Sequence, residues 1–96
     1  MKRPKRVKVG CDFWDVKFED VPNEGGQVCR GVCRVEERTI VLQKDLSDTR
    51  LMETFLHESI HAIDDCYRMN LTESQVNVLG NAIISFIRDN KINFLK

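Results

Sequence analysis

The sequence has neither a long apolar run nor an excess of one charge. Fifteen basic and fifteen acidic residues cancel, so the chain as a whole has no electrostatic attraction to nucleic acid or to anionic lipid. No apolar stretch approaches the ~20 residues of a membrane span, and no apolar segment follows the basic start as it would in a secretory signal. We therefore expect a soluble cytoplasmic protein with no membrane partner.

The basic residues near the start form a local exception to this balance. We interpret them as a solvated terminus, and a nucleic-acid-binding arm is the weaker alternative because aromatic residues do not alternate with them. The cluster consists of Lys2, Arg3, Lys5 and Arg6.

The chain also lacks the signals that would accompany disulfide bonds. Its four cysteines could pair in a secreted protein, but nothing in the sequence indicates secretion. We expect reduced, small and mostly buried side chains at Cys11, Cys29, Cys33 and Cys66. A metal site at Cys29 and Cys33 is a minor alternative, because a three-residue gap without a second Cys or His pair is unusual for zinc.

Histidine is equally scarce, and its position is informative. The only two histidines are His57 and His61, which belong to the pentapeptide H-E-x-x-H. On a helix these side chains lie one turn apart on the same face. Two imidazoles so placed can bind one zinc ion, with Glu58 close enough to hold a water molecule beside it. We therefore predict a metal site here, with Glu58 as the catalytic base.

The residues around this motif predict the helix that it requires. Between Asp48 and Tyr67 there is no proline or glycine, and apolar residues recur every three or four positions. Ser47 is the expected N-cap, with Asp48 in the first turn where the helix dipole favours an anion. The pattern places both histidines on a polar edge of a helix whose opposite side belongs to the core.

The remaining patterns predict a small sheet and a second helix. Apolar and polar residues alternate in 7–9 and 14–18, which predicts β-strand, and Gly10 between these two ranges marks a bend or bulge. A second strand is predicted at 28–35, after a loop at 22–26. The β-branched and apolar run at 39–42 predicts a central strand. Thr72 and Gln75 form a capping box for a second helix that ends at Asp89 and Asn90. We expect an α+β fold in one domain, residues 1–96, with an antiparallel or mixed sheet of about three strands packed on both helices.

A catalytic zinc ion normally has three protein ligands, and no third histidine exists. This excludes the metzincin arrangement and the third-histidine pattern of SprT-like proteases. Asp64 is on the metal face but ~7 Å further along the helix axis, and Asp65 is further still. Glu73, in the first turn of the next helix, can approach from the side, although an acid there also complements the dipole. Glu73 is favoured, and the two aspartates remain alternatives.

Four segments resemble short phage- and prophage-encoded H-E-x-x-H proteins described as metallopeptidases: residues 39–42, 54–63, 71–76 and 87–90. The resemblance covers most of the chain and is to a reduced gluzincin, with a small sheet, the motif helix and a glutamate on the following helix. It implies Glu73 as the third zinc ligand and, for a phage-encoded chain, the host cytoplasm as its location. It says little about the substrate.

Two functions are consistent with these residues. The first is a zinc-dependent peptidase acting on a peptide or protein, in which Glu58 takes a proton from water and passes it to the departing amine. The alternative is a catalytically weak or inactive zinc-stabilised module that binds another protein. The sequence identifies no His, Tyr or Arg to stabilise an oxyanion, since Tyr67 is predicted to point away from the metal edge.

Overall fold

The computed structural model describes residues 3–20 and 30–91. The elements in chain order are β1 (Arg6–Val9), β2 (Asp12–Glu19), β3 (Gly31–Arg34), β4 (Thr39–Gln43), α1 (Asp48–Tyr67) and α2 (Glu73–Asn90). The predicted α+β class is confirmed, and the sheet is mixed. The predicted loop at 22–26 and the first two positions of the strand predicted at 28–35 lie outside the described residues.

Among the described residues the sheet has four strands where about three were predicted, because Gly10 reverses the chain. Val9 pairs with Asp12 in an antiparallel β1–β2 hairpin, so Gly10 and Cys11 form a two-residue turn. Gly10 has φ +61°, a left-handed conformation that glycine adopts without a steric penalty. The alternation of apolar and polar residues is therefore interrupted after Val9 because the chain makes a tight turn there. The predicted bend or bulge is wrong.

Strand β4 lies inside the sheet, as predicted from its apolar run. The strand order is β1-β2-β4-β3, with β4 parallel to β2 and antiparallel to β3. Ile40, Val41 and Leu42 are at most 1% exposed. Because β4 occupies the interior, β3 is left at one edge of the sheet.

Helix α1 begins as predicted and covers the sheet. The Ser47 side chain caps it by accepting a hydrogen bond from the backbone N–H of Arg50 at 3.3 Å. Leu51 and Ala62, both fully buried, join the core formed with Trp14 and the inner strands. The helix ends at Tyr67, and the left-handed conformation of its C-cap, Arg68, returns the chain toward α2.

Helix α2 has the predicted capping box, formed by Thr72 and Gln75, but its apolar stripe is only partly covered. Its buried residues are Val76, Gly80 and Ile84. Three apolar residues that recur at helical spacing with Val76 are exposed, namely Leu79, Phe86 and Ile87. The physical reason is that α2 packs against α1 alone among the described elements. No helix in the described residues is long and apolar enough to cross a membrane.

The cysteine prediction is partly wrong. Cys11, Cys33 and Cys66 are free, but Cys11 and Cys66 are exposed, because Cys11 belongs to the hairpin turn and Cys66 to the last turn of α1. Cys29 lies outside the described residues, so the alternative Cys29–Cys33 site remains untested.

Candidate metal centre

The two histidines occupy successive turns of α1 and face the same cleft. Their ring centroids are 5.0 Å apart, and the side chains of His57 and His61 are 21% and 27% exposed. The two rings therefore open onto the cleft while the rest of the helix packs against the sheet.

Glu73 reaches this pair from the start of α2. One carboxylate oxygen, Oε1, is 2.8 Å from Nε2 of His57, and the other, Oε2, is 3.1 Å from Nε2 of His61. A single carboxylate thus contacts both imidazoles, which are held on a different helix. The structure brings together all three residues that the sequence analysis favours as metal ligands.

The loop between the helices fixes where Glu73 lies. The Asp64 carboxylate accepts a hydrogen bond from the backbone N–H of Leu71 at 3.1 Å, and Thr72 then caps α2. These local bonds hold the backbone immediately before Glu73. The position of Glu73 therefore depends on Asp64 of α1 as well as on the N-cap residue Thr72.

The donor types, two imidazoles and a carboxylate, are ones that bind zinc. Bond lengths of about 2.0–2.1 Å in a tetrahedral site place neighbouring donor atoms about 3.3 Å apart. The two observed distances, 2.8 and 3.1 Å, are somewhat shorter and are typical of hydrogen bonds. The Glu73 side chain is 66% exposed, so it has room to withdraw by a few tenths of an ångström.

Glu58 differs from Glu73 in being enclosed. It is 8% exposed, and one potential ligand atom from each of His57, Glu58 and His61 lies within 4.8 Å of the others. Burial raises the pKa of Glu58 to about 7; the nearby Glu73 charge acts in the same direction and His57 opposes it. A carboxylate with such a pKa can accept and release a proton near neutral pH.

The enclosure of Glu58 depends on a glycine that the sequence analysis did not single out. A Cβ atom on Gly31 would lie 2.7 Å from Cγ2 of Thr54 and 3.2 Å from Cγ of Glu58. Only a residue without a side chain lets β3 approach α1 this closely. A glycine inside a predicted strand is a recognised signal for close backbone approach and could have identified this position.

The two aspartates considered as alternative ligands have other partners. Asp64 holds Leu71, as described above, and Asp65 forms an ion pair with Arg38 at 3.2 Å. Arg38 also pairs with Asp12 of β2 at 3.3 Å, so the β3–β4 turn is linked both to the end of α1 and to β2. Asp64 and Asp65 both line the cavity beside the histidines, but neither contacts the imidazoles as Glu73 does.

Two cavities flank the candidate centre, and both are open to solvent. One, of about 430 Å³, extends past Cys33 and Val35 toward Asp64 and Asp65. The other, of about 420 Å³, extends between β3 and α2. Both are lined by Gly31, His57, Glu58 and Glu73. The centre therefore lies at the middle of a cleft that continues on either side.

Cys33 is a second residue that the sequence analysis assigned no role at this site. Its thiol belongs to the first of these cavities, and burial raises its pKa to about 12, with the charges of Glu58 and Asp65 adding to the effect. The thiol is therefore neutral at physiological pH and is a poor nucleophile.

Comparison with known proteins finds no family, no curated protein and no solved structure that matches this chain, so its resemblance to phage-encoded metallopeptidases stays a prediction.

Proposed function

We propose that this protein is a zinc-dependent peptidase in which His57, His61 and Glu73 hold the metal and Glu58 is the general base. The observation that carries the proposal is the contact of one Glu73 carboxylate with both imidazoles, next to a buried glutamate. When bound, zinc supplies a Lewis acid that polarises a carbonyl group and lowers the pKa of a water molecule.

Glu58 moves the proton in this scheme. Its carboxylate accepts a proton from the attacking water and then donates that proton to the nitrogen of the departing amine. In the metal-free protein burial raises its pKa to about 7, and the charge of a bound zinc ion would act in the opposite direction. A purely structural zinc site would have no use for such a base.

Strand β3 supports a peptide as the substrate. The backbone N–H of Gln43 donates to the carbonyl of Arg30 at 2.7 Å, so these two residues form a hydrogen-bonded pair of the antiparallel β3–β4 ladder. Hydrogen-bonded and non-hydrogen-bonded pairs alternate along such a ladder. The N–H and C=O groups of Gly31 and Cys33 consequently face away from β4, toward an edge that pairs with no other strand among residues 3–20 and 30–91. Both residues line the cleft, so an extended peptide can add to this edge beside the metal ligands.

A second candidate is a zinc-stabilised module that binds another protein with little or no catalysis. The packing of α2 favours it, because this helix contacts only α1 among the described elements. A metal ion shared by His57, His61 and Glu73 would join the two helices and contribute directly to folding. Metal binding alone therefore does not establish catalysis.

Metal analysis combined with a hydrolysis assay separates these functions. We expect about one zinc ion per chain and cleavage of fluorescein-labelled casein by the wild-type protein. Glu58→Gln should retain zinc and lose cleavage, because the amide cannot accept the proton. Zinc-loaded wild-type protein without hydrolysis would favour the binding module, and failure to bind added zinc would refute both functions.

A further inference from the structure

The cavity between β3 and α2 is a groove with two different walls. Helix α1 contributes its floor through Thr54, His57 and Glu58, and Gly31 belongs to the wall formed by β3. The opposite wall is α2, which contributes Asn77, Gly80 and Asn81. The groove begins at the candidate metal ligands and follows α2 away from them.

Asn77 and Asn81 continue the face of α2 that carries Glu73. They follow Glu73 at four-residue intervals, so the three side chains stand above one another on successive turns. Both asparagines are exposed. Neither side-chain amide has a hydrogen-bond partner within residues 3–20 and 30–91. Each retains two N–H donors and an acceptor oxygen for a ligand.

The spacing of these amides matches that of an extended peptide. Residues four apart on a helix are separated by about 6 Å along its axis. In an extended chain, groups on one edge repeat every two residues, or about 6.6–6.8 Å. Side-chain amides at 77 and 81 can therefore meet successive backbone groups along the same edge of a bound strand.

An extended chain on β3 needs such partners. One of its edges pairs with Gly31 and its neighbours, while the N–H and C=O groups on its other edge face α2. Leaving those groups without partners in the groove would carry a desolvation cost. Asparagine can meet both kinds of group, because its side chain donates to a carbonyl and accepts from an N–H.

We propose that Asn77 and Asn81 bind the main chain of the substrate along the edge opposite β3. The inference rests on the proposed peptidase function and deepens it by assigning the residues that bind the second edge of the substrate's main chain. Because the cleft continues on both sides of the candidate metal ligands, the bound segment is the interior of an extended peptide. Its recognition depends on backbone groups more than on particular side chains.

Binding of hydroxamates to the zinc-loaded protein tests this assignment without a turnover assay. Acetohydroxamate provides the zinc-binding group alone. Acetyl-trialanine hydroxamate adds a chain on one side of that group, and a succinyl hydroxamate carrying dialanine amide adds a chain on the other. We expect at least one of the two peptide ligands to bind wild-type protein more tightly than acetohydroxamate in calorimetric titrations.

Substitution of the asparagines should weaken that ligand selectively. Asn77→Ala and Asn81→Ala should each reduce its affinity by about tenfold, the effect of one lost hydrogen bond, and leave acetohydroxamate binding and zinc content unchanged. Asn77→Asp, which keeps the shape but removes the donors, should show a similar loss. Asn90→Ala is the matched control, because Asn90 bonds to the Phe86 carbonyl at the far end of α2.

The possible outcomes separate the role of the two asparagines from the proposed peptidase function. If the alanine variants bind both peptide hydroxamates as tightly as the wild-type protein does, the role of the asparagines is overturned and the peptidase proposal stays intact. Peptide ligands that bind wild-type protein no better than acetohydroxamate would also overturn the extended groove. If acetohydroxamate itself does not bind the zinc-loaded protein, the proposed function fails and the inference fails with it.

Discussion

The two helices have similar lengths, 20 and 18 residues, but very different anchorage. Helix α1 packs against β1, β3, β4 and α2, whereas α2 packs against α1 alone among the described elements. The candidate centre takes residues from both helices, because its histidines belong to α1 and Glu73 belongs to α2. A site built in this way couples metal binding to the docking of the less anchored helix.

The largest effect should follow loss of a histidine from the well-anchored helix. His57→Ala or His61→Ala should reduce the zinc content from about one ion per chain to nearly none, because only two protein ligands would remain. Atomic absorption of protein purified without chelator measures this. Ser59→Ala, between the two histidines, should retain zinc, and a stoichiometric ion in either histidine variant would contradict the assignment.

Removal of zinc should destabilise α2 far more than α1. A ligand present at about 1,000 times its dissociation constant stabilises the native state by about 4 kcal/mol, and a zinc ion shared by His57, His61 and Glu73 would apply that stabilisation to the docking of α2 on α1. Hydrogen exchange with and without a chelator should show amide protection lost mainly in residues 73–90. Equal losses across α1 and α2 would show that the helices separate only when the whole chain unfolds.

The buried glutamate of α1 should make the metal-free protein sensitive to pH. Burial raises the pKa of Glu58 to about 7 from an ordinary value of 4.5, so between these values the native state binds more protons than the unfolded state. Stability from this group is therefore present below pH 4.5 and decreases as the pH rises through 7, by up to about 3 kcal/mol.

Denaturant unfolding in chelator at several pH values measures this dependence. Glu58→Gln carries a side chain that does not titrate, so its stability relative to wild type should increase between pH 4.5 and 7. Glu53→Gln on the same helix is the matched carboxylate-to-amide control. A constant difference between wild type and Glu58→Gln across this range would show that the native pKa of Glu58 is not raised.

Glu73→Ala tests the contribution of the second helix to the metal site. Loss of a residue that only supports a ligand typically weakens metal binding 10- to 100-fold, so removal of a direct ligand should weaken zinc binding by more than about 100-fold. Asp65→Ala, which breaks the pair with Arg38, is the control and should have a smaller effect. Competition with a zinc-binding dye gives both affinities, and a larger loss for Asp64→Ala or Asp65→Ala would refute Glu73 as the third ligand.

The smallest effect should come from the helix caps. Thr72→Ala removes the capping box of α2 and Ser47→Ala removes the cap of α1, and each should cost about 1 kcal/mol. The consequences should differ in extent, because α2 can open alone while α1 opens with the core. Hydrogen exchange should therefore show a loss confined to 73–90 for Thr72→Ala. A loss that reaches the sheet would contradict the weak anchorage of α2.

Local signals in the sequence were the most reliable. Ser47 and Thr72 begin helices because their side chains accept bonds from backbone N–H groups three residues later, an interaction contained within one turn. The interior position of β4 followed from residues that can be buried on both faces. The turn at Gly10 was harder to recognise, because a bend and a reversal have the same glycine signal and differ only in which residues later pair.

The sequence by itself determined that two histidines and a glutamate share one helix, since the helical period fixes their spacing. Tertiary structure alone decided that Glu73 meets both imidazoles, that Gly31 lets β3 enclose Glu58, and that Asp64 and Asp65 bind other partners. It also decided that part of the apolar stripe of α2 stays exposed. These outcomes depend on how separate elements pack, and residues distant in the chain carry no periodic signal that records such contacts.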